Sequence, residues 1–483
     1  MVGITSYGGY IPRLRLKRSA ILQAMGWFAP AIVAVAQGTR SVCNWDEDAL
    51  SMAVEASRDC LVGLDKTEVD GLFLASTTMP YADRQNAGIV QTALNLGREM
   101  NTADFGGSLR AGTAAMIAAL DSVKSGERSK VLVSASDSRQ TRGAYFYEMW
   151  FGDGAASLTF GRENVIARFL GSHSISCDFV DHYRGRQNDY DYMWEERWVR
   201  DEGYSKLIPE AIEGLLTKLD VTIDAFRHVV YPCFFDREHQ NIARKLKTAK
   251  GQVHTNLHGE CGETGAAHPL VMLVRALEKA EPGDKILVAS FGQGCDVLAF
   301  EATEAIKSLP ARRGINGSLA QGKELDNYEK YLKFRDLISV EMGIRAEVGG
   351  QIAMTTLWRN RKMILGLVGN RCGECGTPQF PPLETCVKPD CGCSTKMSDY
   401  EFAERKGRIL MYTGDMLAVS QEPPSMYGMI EFEGGGRFLC DFTDCDLSQL
   451  KVGQTMRMTF RKRWTDSERG YHGYFWKAVP QAN

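Results

Sequence analysis

Apolar residues in this chain follow two different patterns. Up to about residue 340 they come in short unbroken runs, such as "GLFLAS" (71–76), "VLVSAS" (131–136) and "ILVASF" (286–291). Between these runs lie stretches with a three-to-four-residue period, such as "ALSMAVEASRDCLVG" (49–63) and "LIPEAIEGLLTK" (207–218). Unbroken runs suit strands covered on both faces, and the periodic stretches suit amphipathic helices that cover them. The alternation predicts an α/β architecture. Beyond about residue 400 the period drops to two, in "GRILMYTGDMLAV", "YGMIEFEG", "RFLCDFTD", "TMRMTFRKRW" and "GYFWKAV". Five such segments with short turns predict a small antiparallel barrel, with "LSQLKVGQ" as a short helix and turn inside it.

The first pattern repeats itself. "LDKT" (64–67) and "LDVT" (219–222) are 155 residues apart, and so are "AALDSVKSGERSKVLVSAS" (118–136) and "LVRALEKAEPGDKILVASF" (273–291). Lys130 falls on Lys285 at that spacing. Two matches at one offset predict a duplicated unit, with a pseudo-twofold axis between the halves. The same offset carries "GGSLRAGT" onto "CGETGAAH", so Ser108 falls on Glu263 and Leu109 on Thr264. Two equivalent helix starts then point toward one shared site.

Composition narrows the picture. At 483 residues the chain has room for two to four domains. Its net charge of −3 gives no electrostatic reason to expect nucleic acid. "FRKRW" is one local basic patch on the expected barrel. No apolar run reaches the ~18 residues of a membrane span, and the first residues lack a signal-peptide pattern. The expected location is the cytoplasm. Most of the thirteen cysteines are scattered, but "RCGECGTPQFPPLETCVKPDCGC" (371–393) gathers Cys372, Cys375, Cys386 and Cys391 as C-x2-C-x10-C-x4-C. Two cysteine knuckles at this spacing suit tetrahedral zinc, and four thiolates leave no open position, so the role is structural. Cys393 is an alternative fourth ligand.

The segment "TADFGGSLRAGTAAM" (102–116) reads as strand, glycine turn and helix. Such a turn can present a nucleophile at a helix N-terminus. Here it holds Ser108, Leu109 and Arg110, and no cysteine. Ser108 lacks an evident activating base, and capping the helix is the role its type and place suggest.

Together "MVGITSYGGYIPRLRLK", "STTMPYADRQNAG", "ADFGGSLRAGTAAM", "WFGDGAASLTFG" and "SFGQGCDVLAF" resemble the 3-hydroxy-3-methylglutaryl-CoA synthases of the thiolase superfamily, over roughly residues 1–345. The C-terminal part is similar to acyl-CoA-associated zinc-ribbon/OB-fold proteins, which usually accompany thiolase-like enzymes as separate subunits. The resemblance implies a duplicated thiolase fold of two βαβαβαββ-type halves (1–165 and 166–345). A linker and zinc ribbon (346–395) and an OB-fold barrel (396–483) follow. It also implies an acyl-CoA substrate, so that coenzyme A enters as part of that substrate. A homodimer, and a larger complex with another acyl-CoA enzyme, are further expectations.

The resemblance breaks at the chemistry. The family's catalytic glutamate falls on Thr77 and its cysteine on Leu109. Its histidine falls on Tyr231, Pro232 or Cys233, depending on register. Its asparagine falls on Glu263, and the serine after it on His268. Three acid–base types, Glu263, Tyr231 and His268, thus stand where the family keeps working groups. Without a nucleophile they suit proton transfer, as in aldol cleavage or formation of a 3-hydroxyacyl-CoA. A Claisen-type acyltransferase using Cys233 or Ser108 is a second reading. A non-catalytic acyl-CoA-binding scaffold is a third.

Overall fold

The computed structural model describes residues 1–193, 195–346 and 353–481. The chain forms two compact units. The first runs from Met1 to Ile338, apart from two excursions, Asn44–Glu47 and Ile89–Asn95, which belong to the second unit together with Ser339–Asn483. Residues 347–352 of the expected linker lie outside the described residues.

The elements of the first unit that matter below are β1 (Gly3–Tyr10), β2 (Thr39–Val42), α1 (Ala49–Cys60), β3 (Gly71–Ala75), β4 (Asn101–Phe105), α2 (Ala111–Ser125), β5 (Lys130–Asp137) and β6 (Gly154–Gly161). The second half continues with β7 (Ala167–Ser176), α3 (Ile208–Leu219), β8 (His228–Val230), α4 (Asp236–Lys245), α5 (His268–Leu277), β9 (Lys285–Phe291) and β10 (Gly294–Ala302). One nine-stranded sheet has the order β8-β9-β10-β7-β1-β6-β5-β3-β4. From its middle outward each half reads the same way: β1-β6-β5-β3-β4 on one side and β7-β10-β9-β8 on the other. The halves meet where Gly3 and Ile4 of β1 pair with Arg168 and Ala167 of β7. The place of β4 is filled in the second half only by a single bridge, Val229 to Val253.

Strand alternation assigns the layers. Val131, Val133 and Ala135 of β5 and Ile286 and Val288 of β9 enter one core with the buried faces of α2 and α5. The residues between them face outward: Ser134 bonds the Ala53 carbonyl of α1, and Leu287 and Ala289 pack on Ile208, Ala211, Ile212 and Leu215 of α3. The small residues of α2 bury one face of it, Ala111, Gly112, Ala115, Ala119 and their neighbours, and leave Asp121, Lys124 and Ser125 exposed. A β-carbon on its Gly112 would lie 2.4 Å from the Ala266 carbonyl, so glycine is what allows the start of α2 to touch the turn before α5.

Besides the missing counterpart of β4, the repeat also breaks at one hairpin. β5 and β9 start 155 residues apart, but β6 and β10 start only 140 apart. In the second half Gly292 and Gln293 alone close the hairpin, with Gln293 at φ 53°. In the first half sixteen residues, 138–153, stand between Asp137 and Gly154.

In the second unit, strands Val368–Cys372, Pro378–Gln379 and Met397–Glu401 form a three-stranded ribbon. The barrel strands are β11 (Gly407–Asp415), β12 (Ser425–Phe432), β13 (Arg437–Asp441), β14 (Thr455–Asp466) and β15 (Tyr471–Pro480). Their order is β13-β12-β11-β14-β15, and a bridge from Phe442 to Ala478 closes it. The period-two residues Met456, Met458 and Phe460 and Tyr474, Trp476 and Ala478 are buried inside. A short turn of helix at Leu447–Gln449 precedes β14, in the segment where the sequence predicts one.

Candidate functional site

Two turns build the candidate site, the start of α2 and the segment leading into α5. Leu109 is 7% exposed and carries no reactive group. Ser108 donates its hydroxyl to the Gly292 carbonyl at 2.8 Å and accepts the Arg110 N–H at 3.2 Å. Arg110 is the N-cap residue of α2 and no side chain caps that helix, so Ser108 braces the turn from outside it. Arg110 completes the brace with bonds to Gly292 O and Asp296 Oδ1, each 2.8 Å. Among the described residues no base contacts the Ser108 hydroxyl, and its proton is already engaged.

Thr77, at the family's glutamate position, turns its hydroxyl onto Asp137 Oδ2 at 2.9 Å. Asp137 ends β5 and is fully buried. Its carboxylate accepts from Ser76, from the backbone and hydroxyls of Thr77 and Thr78, and from the Ala266 N–H at 2.7 Å. Burial pushes this carboxyl up despite those bonds. It ties β3 to the start of α5.

Glu263 is 5% exposed. Its backbone N–H donates to Trp150 O and its carbonyl accepts from Gly152, both at 2.8 Å. Its Oε2 accepts Arg139 Nη1 at 2.8 Å. Arg139 also gives Nε to Asp191 Oδ2 at 2.7 Å, with its guanidinium 3.8 Å from the centre of the Phe151 ring. Arg184 binds the other oxygen of Asp191 and the Thr77 carbonyl. Burial alone would lower the Arg139 pKa, but Asp191 and Glu263 outweigh it and hold the guanidinium charged. Burial pushes Asp191 up, and Arg139, His182 and Arg184 together pull it below the ordinary carboxylate range. No hydrogen bond reaches Glu263 Oε1 among the described residues, so one oxygen of this buried, anchored carboxylate keeps its acceptor capacity.

His268 and Tyr231 are placed differently from the sequence expectation. His268 accepts the Thr264 N–H on Nδ1 at 3.1 Å, and its Nε2 lies 2.9 Å from Asn256 O. These partners assign a neutral ring with its proton on Nε2, and burial favours that form. Tyr231 follows β8 on the face opposite Val230, in the outer core against α4. Its hydroxyl donates to His239 O at 2.7 Å, and burial raises its pKa. The structure therefore brings Glu263 and His268 to one turn and leaves Tyr231 behind the sheet. Cys233 is likewise buried with its thiol pushed up, and Cys261 is pushed up to about 12.

A cleft of about 1030 Å³ is lined by His258 and Gly259 of the segment that leads to this turn, though not by Glu263 or Leu109 themselves. Phe146, Trp150, Phe234 and Phe235 form an aromatic wall, with Trp150 and Phe234 stacked at 4.6 Å. Arg18, Arg200 and Arg237 border it, among Glu196, Asp201, Asp236 and Glu238. Trp150 links cleft and site, since its ring lines the one and its carbonyl holds Glu263.

In the ribbon, the sulfurs of Cys372, Cys375, Cys386 and Cys391 all lie within 4.8 Å of one another. Cys372 and Cys391 are 3.8 Å apart, and Cys375 and Cys386 3.5 Å. A tetrahedral site with ~2.3 Å metal–sulfur bonds needs sulfurs ~3.8 Å apart, so the four thiols fit a metal. Cys393 stands outside the group, beside Thr395.

Sequence reasoning missed Arg139, Asp191, Arg184 and Asp137. The one signal for Arg139 was the place where the 155-residue repeat breaks, because that inserted segment carries it.

Comparison with known proteins agrees with this architecture. Residues 216–300 match the family model for the C-terminal part of 3-oxoacyl-[acyl-carrier-protein] synthase III, and residues 400–461 that for the C-terminal OB-fold domain of ChsH2. A hydroxymethylglutaryl-CoA synthase of Caldivirga maquilingensis is 30% identical over 351 residues, covering 71% of this chain and 99% of the relative. One from Archaeoglobus fulgidus is 30% identical over 341 residues, covering 69% and 98%. Among solved structures, an HMG-CoA synthase complexed with CoA superimposes with a TM-score of 0.60 at 16% identity, over 73% of this chain and 94% of that one. 3-Oxoacyl-(acyl carrier protein) synthase III from Pseudomonas aeruginosa gives 0.56 at 19%, over 63% and 98%.

Proposed function

Because the chain belongs to the hydroxymethylglutaryl-CoA synthase family of the thiolase superfamily, we propose that it is an acyl-CoA enzyme that makes or breaks a carbon–carbon bond without a covalent acyl-enzyme. Coenzyme A, as part of the substrate, lies in the aromatic-walled cleft with its phosphates toward Arg200 and Arg237. One observation carries the reading. At the turn where a nucleophile would stand there is Leu109, while Glu263 keeps one carboxylate oxygen without a hydrogen bond among the described residues. In the cleavage direction, Glu263 takes the β-hydroxyl proton of a 3-hydroxyacyl-CoA. The Cα–Cβ bond breaks, a carbonyl compound leaves, and the enolate of the shorter acyl-CoA is protonated at carbon. In this reading the Leu109 N–H, unpartnered among the described residues, stabilises the thioester oxyanion. The reverse reaction is the aldol addition.

A panel of 3-hydroxyacyl- and 3-oxoacyl-CoAs, with products identified by mass spectrometry, tests this. Glu263→Gln should remove 10²–10⁴-fold of turnover, and the intact protein should gain no acyl mass. An acyl adduct on Cys233 or Ser108 would favour the Claisen-type acyltransferase suggested by the relatives' names. Tight acyl-CoA binding with no turnover would favour a scaffold, a reading supported by the backbone-satisfied Ser108, Tyr231 and His268.

We further propose that the four-thiol site holds structural zinc, and that the exposed edge strand β4 pairs two copies into a homodimer. The cytoplasm suits thirteen free cysteines. Among the described residues no helix is long and apolar enough to cross a membrane.

A further inference from the structure

The alternation of β14 and β15 puts Met458, Phe460, Trp476 and Ala478 inside the barrel. It turns Thr459, Arg461 and Lys477 outward, where a free barrel would leave them in water. They are nevertheless 0%, 0% and 5% exposed. What covers them is Asn44–Glu47, the stretch between β2 and α1 that belongs to the second unit. Arg461 Nη1 meets Glu47 Oε1 at 2.8 Å and Asp46 Oδ1 at 3.2 Å, and its Nη2 meets Asp444. Lys477 Nζ bonds Asp46 Oδ2 at 2.8 Å and lies 4.1 Å from the centre of the Trp45 ring. Thr443 Oγ1 donates to Asp46 Oδ2 at 3.0 Å, and the Lys462 N–H to the Asp46 carbonyl at 2.8 Å. Asp46 is 0% exposed. Charges buried this completely persist only when matched, and here Arg461 and Lys477 are matched by Asp46 and Glu47 of that turn together with Asp444.

We infer that the barrel carries a receptor site for an acidic turn, filled in this chain by Asp46 and Glu47, and that its occupancy holds the candidate active-site loop in place. The link is one short strand. Immediately before the turn, the Thr39 N–H donates to Gly259 O at 3.1 Å and the Ser41 N–H to Cys261 O at 2.8 Å. The Ser41 hydroxyl donates to Asp153 O, and the Cys43 N–H to Asp153 Oδ2 at 2.6 Å. Gly259 and Cys261 lead directly to Glu263. Pulling Asp46 from its receptor therefore frees the end of the strand that braces the Glu263 loop. The same assignment gives Arg461 of the "FRKRW" patch an intramolecular partner. It does not depend on the reaction proposed above.

Amide hydrogen exchange on the full-length chain tests it without a substrate. Asp46→Asn and Arg461→Met should each speed exchange ~10-fold or more in peptides covering 38–43 and 257–263, while 113–123 in α2 keeps wild-type protection. Faster exchange in 455–479 with 38–43 unchanged would overturn the coupling. If either variant fails to fold, Glu47→Gln serves instead, with a smaller change expected in the same two peptides and none in α2. Lys477→Arg keeps the charge and should leave all of these peptides at wild-type protection. Equal loss of protection in Lys477→Arg and Asp46→Asn would overturn the role of charge recognition.

Discussion

Replacing Arg139 by Met is the most direct test of the charge arrangement around Glu263. The guanidinium is 1% exposed and bridges Asp191 at 2.7 Å and Glu263 at 2.8 Å, whose side chains are 3% and 6% exposed. Methionine fills most of the same space but takes the cation away from two buried carboxylates, leaving Asp191 with Arg184 and Glu263 with no cation among the described residues. Removing one partner of a buried pair typically costs about 3–5 kcal/mol. That is a large part of the about 5–15 kcal/mol that holds a typical domain together. The loss should depend on pH, with a sign fixed by the wild-type arrangement. In the wild type Asp191 is held below its ordinary range, so its contribution is present above the unfolded carboxylate pKa and fades only as pH falls through the folded value. Without Arg139, Asp191 loses the largest of the attractions that outweigh its burial and keeps only His182 and Arg184, so it holds a proton more readily and the folded variant takes up protons on acidification. The gap between variant and wild type should therefore narrow from pH 7 to pH 5. Equilibrium urea unfolding at both pH values, followed by tryptophan fluorescence, measures it. Arg139→Lys keeps a charge but cannot hold two carboxylates in fork geometry, and should fall between the two. A cost under about 1 kcal/mol at pH 7, the range of an exposed ion pair, would refute the buried bridge.

Cys372→Ser should release about one metal ion per chain and loosen the ribbon, read by elemental analysis and proteolysis; pure wild-type protein without zinc would refute the metal assignment. Ser108→Ala should lower stability by about 1 kcal/mol, the worth of a lost hydrogen bond, with turnover little changed; a hundred-fold loss of rate would restore it as a catalytic group. Titration with labelled single-stranded DNA should give only weak, salt-sensitive association, and tight binding at moderate salt would make the barrel a nucleic-acid module.

The α/β halves, the barrel and the cysteine set were legible because each leaves a local signature. "ILVASF" reads as a doubly covered strand, and β9 does divide Ile286 and Val288 from Leu287 and Ala289. The 155-residue spacing holds for β5 and β9, while α1 and α3 start 159 residues apart, and β3 and β8, like α2 and α5, 157. The site was less legible, because its groups meet through tertiary contacts that no spacing encodes. Glu263 is visible in "GETGAAH", but its anchor Arg139 lies in an insertion and Asp191 in a loop of no regular pattern. Tyr231 shows the opposite failure. The sequence left Tyr231, Pro232 and Cys233 open for one position, and the alternation that continues from β8 turns Tyr231 to the face opposite Val230. His268 looked like an acid–base group by type, and two backbone partners make it a strut.

Gly112 has a consequence for how the chain can be cut. The start of α2 rests against the turn before α5 so closely that neither half presents a finished surface alone. The short turn between β6 and β7, by contrast, is exposed at 162–164 and turns through Asn164 at φ 49°. A break there severs the backbone but none of the contacts that join the halves. The two fragments should be inert apart and should reassemble when mixed, which makes this turn a natural place to divide the protein into a complementing pair.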